Sequence, residues 1–91
     1  MLYAAQVVVR IPWARSLKDK RQVAQSLMAK MGRHPQVAVA EVDHLDEPQQ
    51  LGLGVCAGSN THVHAERMVQ EALAEIGRAG LEARTIEIGE R

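Results

Sequence analysis

Two segments of this chain alternate in side-chain character with the period of two that is typical of a β-strand. They cover residues 1–11 and 51–57. Residues 36–43 form a run rich in β-branched residues and are predicted to be another strand, and residues 81–88 are predicted to be the last one. The first segment is apolar at almost every position, which favours a central place in a sheet. Residues 45–50 are polar and are expected to form a turn or hairpin loop.

The first helix is predicted over residues 17–33, where apolar residues recur at intervals of three and four. Ser16 and Asp19 have the spacing of a capping box, in which each residue satisfies a free backbone N–H at the helix start. His34 followed by Pro35 is expected to end the helix, because proline disfavours helical geometry in the residue before it.

A second apolar stripe predicts another helix in the latter half of the chain. Either Asn60 or Thr61 is expected to cap its start, and Arg78 followed by Gly80 forms a conventional helix end. The stripe consists of Ala65, Val69, Ala72, Leu73 and Ile76.

The resulting order is β-α-β-β-α-β over a chain of 91 residues, which we interpret as one domain, 1–91. This order defines the split βαβ, or ferredoxin-like, α+β fold. We therefore expect a four-stranded antiparallel sheet with two helices on one face. Because two helices cover only one face of such a sheet, the other face is expected to be open.

Composition narrows the class of protein further. The sequence lacks Phe, so the core must be built from aliphatic side chains and Met. Cys56 is the only cysteine, which excludes an intramolecular disulfide and a cysteine zinc cage. No apolar run approaches the roughly 20 residues of a membrane span, and the N-terminus has no signal-peptide pattern. We therefore expect a cytoplasmic protein without a membrane partner.

Charge is unevenly distributed, although the formal net charge is zero. Residues 10–34 contain seven basic residues and one acid, whereas residues 41–47 contain four acids and no base. Such a distribution can steer one face of a protein toward an anionic partner.

The basic residues are densest where the first helix begins. Arg15, Lys18, Lys20 and Arg21 surround its first turn. The N-terminal end of a helix carries partial positive charge, so each cation there costs about 0.3–1 kcal/mol at low salt. Four of them together suggest that an anion binds at this position.

We therefore predict a nucleic-acid or anion site at the start of the first helix, with basic residues supplying charge and glutamines supplying hydrogen bonds to a phosphate backbone. The alternative is a solvated helix face. The candidate residues are Arg10, Trp13, Arg15, Ser16, Lys18, Lys20, Arg21, Gln22 and Gln25.

Two of these candidates have alternatives of their own. Trp13 could stack on a base or cover the top of the core. Lys20 falls within the apolar arc of the helix, so it either extends past the helix end to solvent or pairs with a carboxylate. Glu41 is the candidate partner, because it is the one charge within an apolar strand run.

The open sheet face is expected to present small residues and no aromatic side chain. This argues against the mode of RNA recognition in which bases stack on aromatics of the central strands. An apolar face of small residues instead suits packing against a partner or a second copy, so we predict a homodimer as an alternative. The candidate positions are Ala4, Gln6, Val8, Gly52, Gly54 and Cys56.

Enzymatic and metal sites are not indicated. His62 and His64 point to roughly opposite sides at the start of a helix, and no Cys or acid completes a ligand set. The chain has no glycine-rich phosphate loop and no nucleophile elbow. Acylphosphatases, which are similar in size and fold, use an Arg and an Asn. Arg15 and Asn60 are present here, but the preceding loop lacks the required glycines. We expect a non-enzymatic protein without a cofactor or a metal.

The string Ser16-Leu17-Lys18-Asp19-Lys20-Arg21, together with Ile11-Pro12 before it and Ala40-Glu41-Val42-Asp43 after it, resembles the small bacterial YlxP-like family. That family is a ferredoxin-like domain of unknown function. Its members are often encoded among translation and ribosome-assembly genes, so the resemblance implies ribosomal RNA or a ribosomal subunit as partner. Trp13 stands where the family is expected to have a small or variable residue, so its role does not come from the resemblance.

Two classes of function follow from the sequence. The first is a non-enzymatic RNA-binding or ribosome-associated protein that contacts phosphates through the basic start of the first helix. The second is a dimeric scaffold or regulatory domain that binds a protein or small ligand through the open sheet face.

Overall fold

The computed structural model describes all 91 residues and has the predicted order of elements. Its elements are β1 (Leu2–Arg10), α1 (Leu17–Met31), β2 (Val37–Asp43), β3 (Gln50–Gly58), α2 (His62–Arg78) and β4 (Glu82–Glu90). The four strands form one antiparallel sheet in the order β2-β3-β1-β4, with both helices on one face. The predicted ferredoxin-like α+β fold is therefore confirmed. Neither helix is both long and apolar enough to cross a membrane.

Both helices begin where side chains satisfy the first free N–H groups. In α1, the Asp19 N–H donates to Ser16 Oγ at 3.1 Å, and the Asp19 carboxylate accepts from the Arg15 N–H at 2.9 Å. Thr61, and not Asn60, caps α2, because its Oγ1 accepts from the His64 N–H at 3.2 Å. The α1 helix ends at Met31, two residues before the predicted end, with Gly32 at the cap position.

The core lies between the sheet and the two helices and is aliphatic, as composition predicts. The alternate residues of β1 and β3 point into it, because opposite partners in an antiparallel pair share a face. Its largest members that are almost fully buried are Ile11, Leu27, Leu51 and Leu53. Burial of side chains of this size is worth about 1.5–3 kcal/mol each and provides the main favourable term in folding.

The open face of the sheet differs from the prediction at two of its six positions. Val8 is only 1% exposed, and its partner Gly52 is also buried. At Gly52, β2 changes register and brings Asp43 directly over the glycine. Val8 and Gly52 are therefore closed off within the chain and cannot contact a partner, which corrects their assignment to an oligomer face.

The ends of three strands and two loops meet at one end of the molecule. Arg10 at the end of β1 is paired with Gln50 at the start of β3 and with Glu82 at the start of β4. The loop between β1 and α1 and the loop between β2 and β3 also lie at this end. The candidate residues of α1 are thus placed beside the polar, acidic loop that follows β2.

Candidate nucleic-acid interface

A tight turn between β1 and α1 exposes Trp13. The Ala14 N–H donates to the Ile11 carbonyl oxygen at 3.1 Å, and both of these residues are buried. This anchors the two ends of the turn in the core while Pro12 and Trp13 point outward. The Trp13 side chain is 58% exposed, so it does not cover the top of the core. This exposure argues against the interpretation of Trp13 as a cover over the core and leaves its ring accessible from solvent.

Four basic residues around this turn and the start of α1 are exposed and take part in none of the ion pairs of the chain. We name them the basic patch: Arg10, Arg15, Lys18 and Arg21. By contrast, Arg78 forms an ion pair with Glu75 in α2, and Arg91 forms one with Glu87 in β4. None of the side chains of the basic patch therefore lies within ion-pair distance of a carboxylate.

Lys20 does not belong to the basic patch, which corrects its assignment as an anion-binding residue. Its side chain is 5% exposed, and Nζ lies 3.0 Å from Glu41 Oε2. Nζ also donates to the carbonyl oxygens of His44, Leu45 and Gln50 at 2.8, 3.3 and 3.3 Å. The three N–H donors are thus matched by three carbonyl oxygens, and Glu41 supplies the opposite charge. Of the two alternatives for Lys20, extension to solvent or pairing with a carboxylate, the structure contains the Lys20–Glu41 ion pair.

Ser16 and Asp19 occupy part of the positive end of α1. Ser16 Oγ accepts the Asp19 N–H, so its role in the structure is to cap the helix. The Asp19 carboxylate accepts the Arg15 N–H and places a negative charge beside the helix end. An anion at this site would therefore meet the negative charge of Asp19 at the helix end, and the side chains of the basic patch would supply the charge that attracts it.

The two candidate glutamines lie in different places. Gln25 and Arg21 line a groove of about 230 Å³ between α1 and Leu45, which we name the Glu41 groove because the carboxylate of Glu41 also lines it. Gln22 is exposed but does not line this groove. The groove could not be found from helix periodicity alone, because Leu45 belongs to a distant loop that the sequence only marks as polar.

The acidic residues of the β2–β3 region lie beside the basic patch instead of on an opposite face. Glu41 pairs with Lys20, and His44 contacts both Asp43 and Glu47 at 3.9 and 3.2 Å. Arg15 and Glu47 also border the same shallow hollow at this end. The separation of charges along the sequence is therefore not a separation in space.

The two histidines near the start of α2 have separate contacts. His64 Nδ1 lies 3.0 Å from Ser59 Oγ, and His62 Nε2 lies 3.6 Å from Glu90 Oε2. No group of three His, Cys, Asp or Glu side chains is arranged to hold a metal ion.

On the open face of the sheet, a shallow groove of about 410 Å³ runs across the central strands. We name it the sheet groove. Ala4, Gln6, Gly54 and Cys56 line it, as predicted for the oligomer face, and β2 adds further small apolar residues. The residues that β2 adds are Ala38, Val39, Ala40 and Val42, and the charged residues Glu87 and Arg91 also line the groove. The remaining predicted positions, Val8 and Gly52, lie outside it.

These observations define a small ferredoxin-like domain with a basic patch at one end and an apolar groove on its open sheet face. The chain belongs to the family described as a protein of unknown function (DUF503), whose model matches residues 2–89. It is also 32% identical over 63 residues to the uncharacterized protein YlxP of Bacillus subtilis (strain 168), a match that covers 69% of this chain and 68% of that protein. The resemblance to the YlxP-like family is thereby confirmed.

Among solved structures, the chain is similar to a C-terminal segment of the alpha subunit of aIF2 from Pyrococcus abyssi. The TM-score is 0.60 at 15% sequence identity, and the similarity covers 100% of this chain. This chain spans about half the length of that segment, since 52% of it is covered. At this identity the similarity shows the shared fold alone.

Proposed function

We propose that this protein is a non-enzymatic RNA-binding domain that acts on the ribosome in the cytoplasm and contacts phosphates through the basic patch. The observation that carries this proposal is that Arg10, Arg15, Lys18 and Arg21 are exposed at one end of the molecule without an ion-pair partner. Cations that release counterions from phosphates supply most of the affinity in such complexes.

Trp13 supports nucleic acid rather than another anion as the ligand. Its exposed ring lies next to Arg10, with which it borders a hollow of about 220 Å³. Stacking of an unpaired base on an aromatic ring is worth roughly 1–3 kcal/mol, and neighbouring cations hold the backbone. A single-stranded segment or loop of RNA offers both an unstacked base and a phosphate, so it matches this pairing better than a duplex does.

The acidic loop after β2 favours one path for the RNA backbone across the surface. Asp46 and Glu47 lie on this loop and repel phosphates, whereas Lys18 and Arg21 lie along the exposed side of α1. We therefore expect the RNA backbone to follow α1 and to avoid the β2–β3 loop.

The test is co-sedimentation with purified ribosomal subunits and with free ribosomal RNA at two salt concentrations. We expect binding that weakens as salt rises, because each contacted phosphate contributes a slope of about −0.7 in log K against log salt for single strands. Lys18→Glu together with Arg21→Glu is expected to abolish binding and to leave thermal unfolding nearly unchanged, since both side chains are exposed.

The matched control is Lys30→Glu with Arg33→Glu, which makes the same change in charge at the other end of α1. Both residues are exposed and unpaired, so this variant should bind nearly as the parent does. Equal losses in the two double variants would show a nonspecific effect of net charge. Unchanged binding in Lys18→Glu with Arg21→Glu would reject the proposal.

A second candidate function rests on the sheet groove. Its floor consists of small apolar residues that no helix of the chain covers, and it would suit a second copy of this chain or another apolar partner. We propose as the alternative that the protein is a dimeric scaffold or regulatory domain that uses this face.

Ala4→Arg tests the alternative, because Ala4 lines the sheet groove and is partly exposed. If the alternative is correct, light scattering shows a dimer for the parent and a monomer for the variant. Binding of the protein or small ligand that uses this face is then lost together with the dimer. A variant that becomes monomeric and still binds RNA as the parent does would separate the two functions and leave the basic patch as the binding site.

A further inference from the structure

We infer that the Glu41 groove is a pocket for one unpaired amino base, adenine or cytosine, of the RNA that the basic patch holds. This inference rests on the proposed function, because the basic patch must first bring RNA to α1. The groove measures about 230 Å³, which is below the roughly 300–1,000 Å³ of pockets for drug-sized ligands and therefore suits a single ring system.

The walls of the groove provide the apolar contact that an unstacked base needs. Leu17, Ala24 and Met28 come from α1, and Leu45 closes the groove from the β2–β3 loop. Leu45 is a large hydrophobic residue that is 59% exposed, and Leu17 is 38% exposed. Two exposed leucines beside unpaired cations are placed to contact the faces of a base whose phosphate lies at the basic patch.

Glu41 provides a hydrogen-bond acceptor for a base in the groove. Oε2 is buried and accepts no hydrogen bond, but it lies 3.0 Å from Lys20 Nζ, so its charge is balanced within the protein and a ligand cannot reach it. Oε1 is not among the buried atoms and accepts no hydrogen bond from the chain. One carboxylate oxygen is therefore left to accept a hydrogen bond from a ligand in the groove.

The Lys20–Glu41 pair also explains why a carboxylate can stand in a site for a polyanion. The ammonium of Lys20 neutralises Glu41 at close range, and Arg21 adds a positive charge on the rim. The groove as a whole is thus not repulsive to a nucleotide, although it presents an acceptor oxygen. A single free acceptor favours a donor on the base, and the exocyclic amine of cytosine is a known partner of carboxylates.

Gln25 on the rim provides the hydrogen-bond donor that complements the acceptor of Glu41. Its side-chain amide can donate to a ring nitrogen beside the amine, while Glu41 accepts from the amine. Adenine and cytosine both present an amine donor next to a ring-nitrogen acceptor on their Watson–Crick edges. Uracil presents the reverse arrangement, with a carbonyl oxygen next to a ring N–H, and would place its carbonyl oxygens against the carboxylate.

The experiment compares fluorescein-labelled oligocytidine and oligouridine, each about ten nucleotides long, by fluorescence anisotropy at one low salt concentration. These two probes have equal charge and ring size and differ in the donor pattern of the base. We expect oligocytidine to bind about tenfold more tightly, which is in the range of one well-placed base contact. Glu41→Gln is expected to bring the ratio of the two affinities close to one: the affinity for oligocytidine falls, and that for oligouridine rises because the amide no longer repels the uracil carbonyl oxygens.

A second variant keeps the test informative if Glu41→Gln lowers the stability of the protein. Gln25→Ala changes an exposed helix position, and it should lower the preference for oligocytidine without affecting folding. Its matched control is Ser26→Ala, at the neighbouring exposed position outside the groove, which should keep the preference.

The outcomes separate this inference from the proposed function. If the parent binds both probes equally, or if the preference survives in both Glu41→Gln and Gln25→Ala, the base pocket is refuted while RNA binding by the basic patch stands. If neither probe binds at low salt, the proposed function fails and the base pocket fails with it.

Discussion

Replacing Lys20 with methionine is expected to lower the free energy of unfolding by about 3 kcal/mol, the largest effect that we predict for a single substitution. The change leaves Glu41 Oε2 buried without its counter-charge and deprives three carbonyl oxygens of a donor. Breaking a buried pair by removing one partner costs about 3–5 kcal/mol, and we take the lower end because the Glu41 side chain is 29% exposed.

Thermal unfolding followed by circular dichroism measures this effect. For a domain of this size 1 kcal/mol corresponds to about 4–8 °C, so the midpoint should fall by roughly 12–24 °C. Lys18→Met is the matched control, because Lys18 is exposed and unpaired on the same turn of α1. Equal midpoints for the two methionine variants would show that the buried contacts of Lys20 contribute nothing.

The double variant Lys20→Met with Glu41→Leu distinguishes the loss of the pair from the loss of packing. Replacement of both partners by apolar side chains often restores stability, because no uncompensated charge remains. We expect the double variant to regain part of the midpoint that Lys20→Met loses. The three carbonyl oxygens keep the recovery incomplete, since they still lack their donor.

Gly52→Ala is the second large prediction. A Cβ atom at this position would lie 2.7 Å from the Asp43 carbonyl oxygen and 2.8 Å from Asp43 Cβ, so the backbone of β2 would have to move. Overpacking at a buried site typically costs about 1–3 kcal/mol. We expect a loss of about 2 kcal/mol and a fall of roughly 8–16 °C in the midpoint of unfolding.

The other strand glycines provide graded controls for this prediction. At Gly54 a Cβ would meet only the Val42 side chain at 3.2 Å, and at Gly58 it would meet Leu2 Cδ2 at 3.4 Å. The midpoint should therefore fall most in Gly52→Ala and least in Gly58→Ala. A Gly52→Ala variant as stable as Gly58→Ala would show that β2 accommodates the methyl group without cost, contrary to the close contact with Asp43.

The buried contacts of Lys20 also help to position the candidate site. Lys20 joins the start of α1 to the carbonyl groups on both sides of the β2–β3 loop, and Leu45 on that loop forms one wall of the Glu41 groove. The same contacts that stabilise the fold therefore fix the β2–β3 loop, and with it Leu45, beside the start of α1. Glu41 has two roles in this arrangement: Oε2 pairs with Lys20, and Oε1 is available to a ligand.

The amino-acid sequence by itself determined the elements and their order. Local rules were sufficient for this, because helix caps and apolar spacing act within a few residues. Ser16 and Asp19 marked the start of α1, and the near-continuous apolar run of β1 indicated a central strand, as the sheet order confirms. The sequence also identified Lys20 and Glu41 as charges in apolar surroundings.

Only the tertiary structure decided which residues are available to a ligand, because that depends on contacts between elements distant in the chain. The helical spacing placed Lys20 on the apolar arc but left its partner open, and only the packing of α1 against the β2–β3 loop buries it while Lys18 stays exposed. Gly52 has the same place in the alternation as Gly54, but the register shift of β2 closes it off. The exposure of Trp13 and the approach of Leu45 to α1 likewise result from turns and loops whose paths are set by the assembled core.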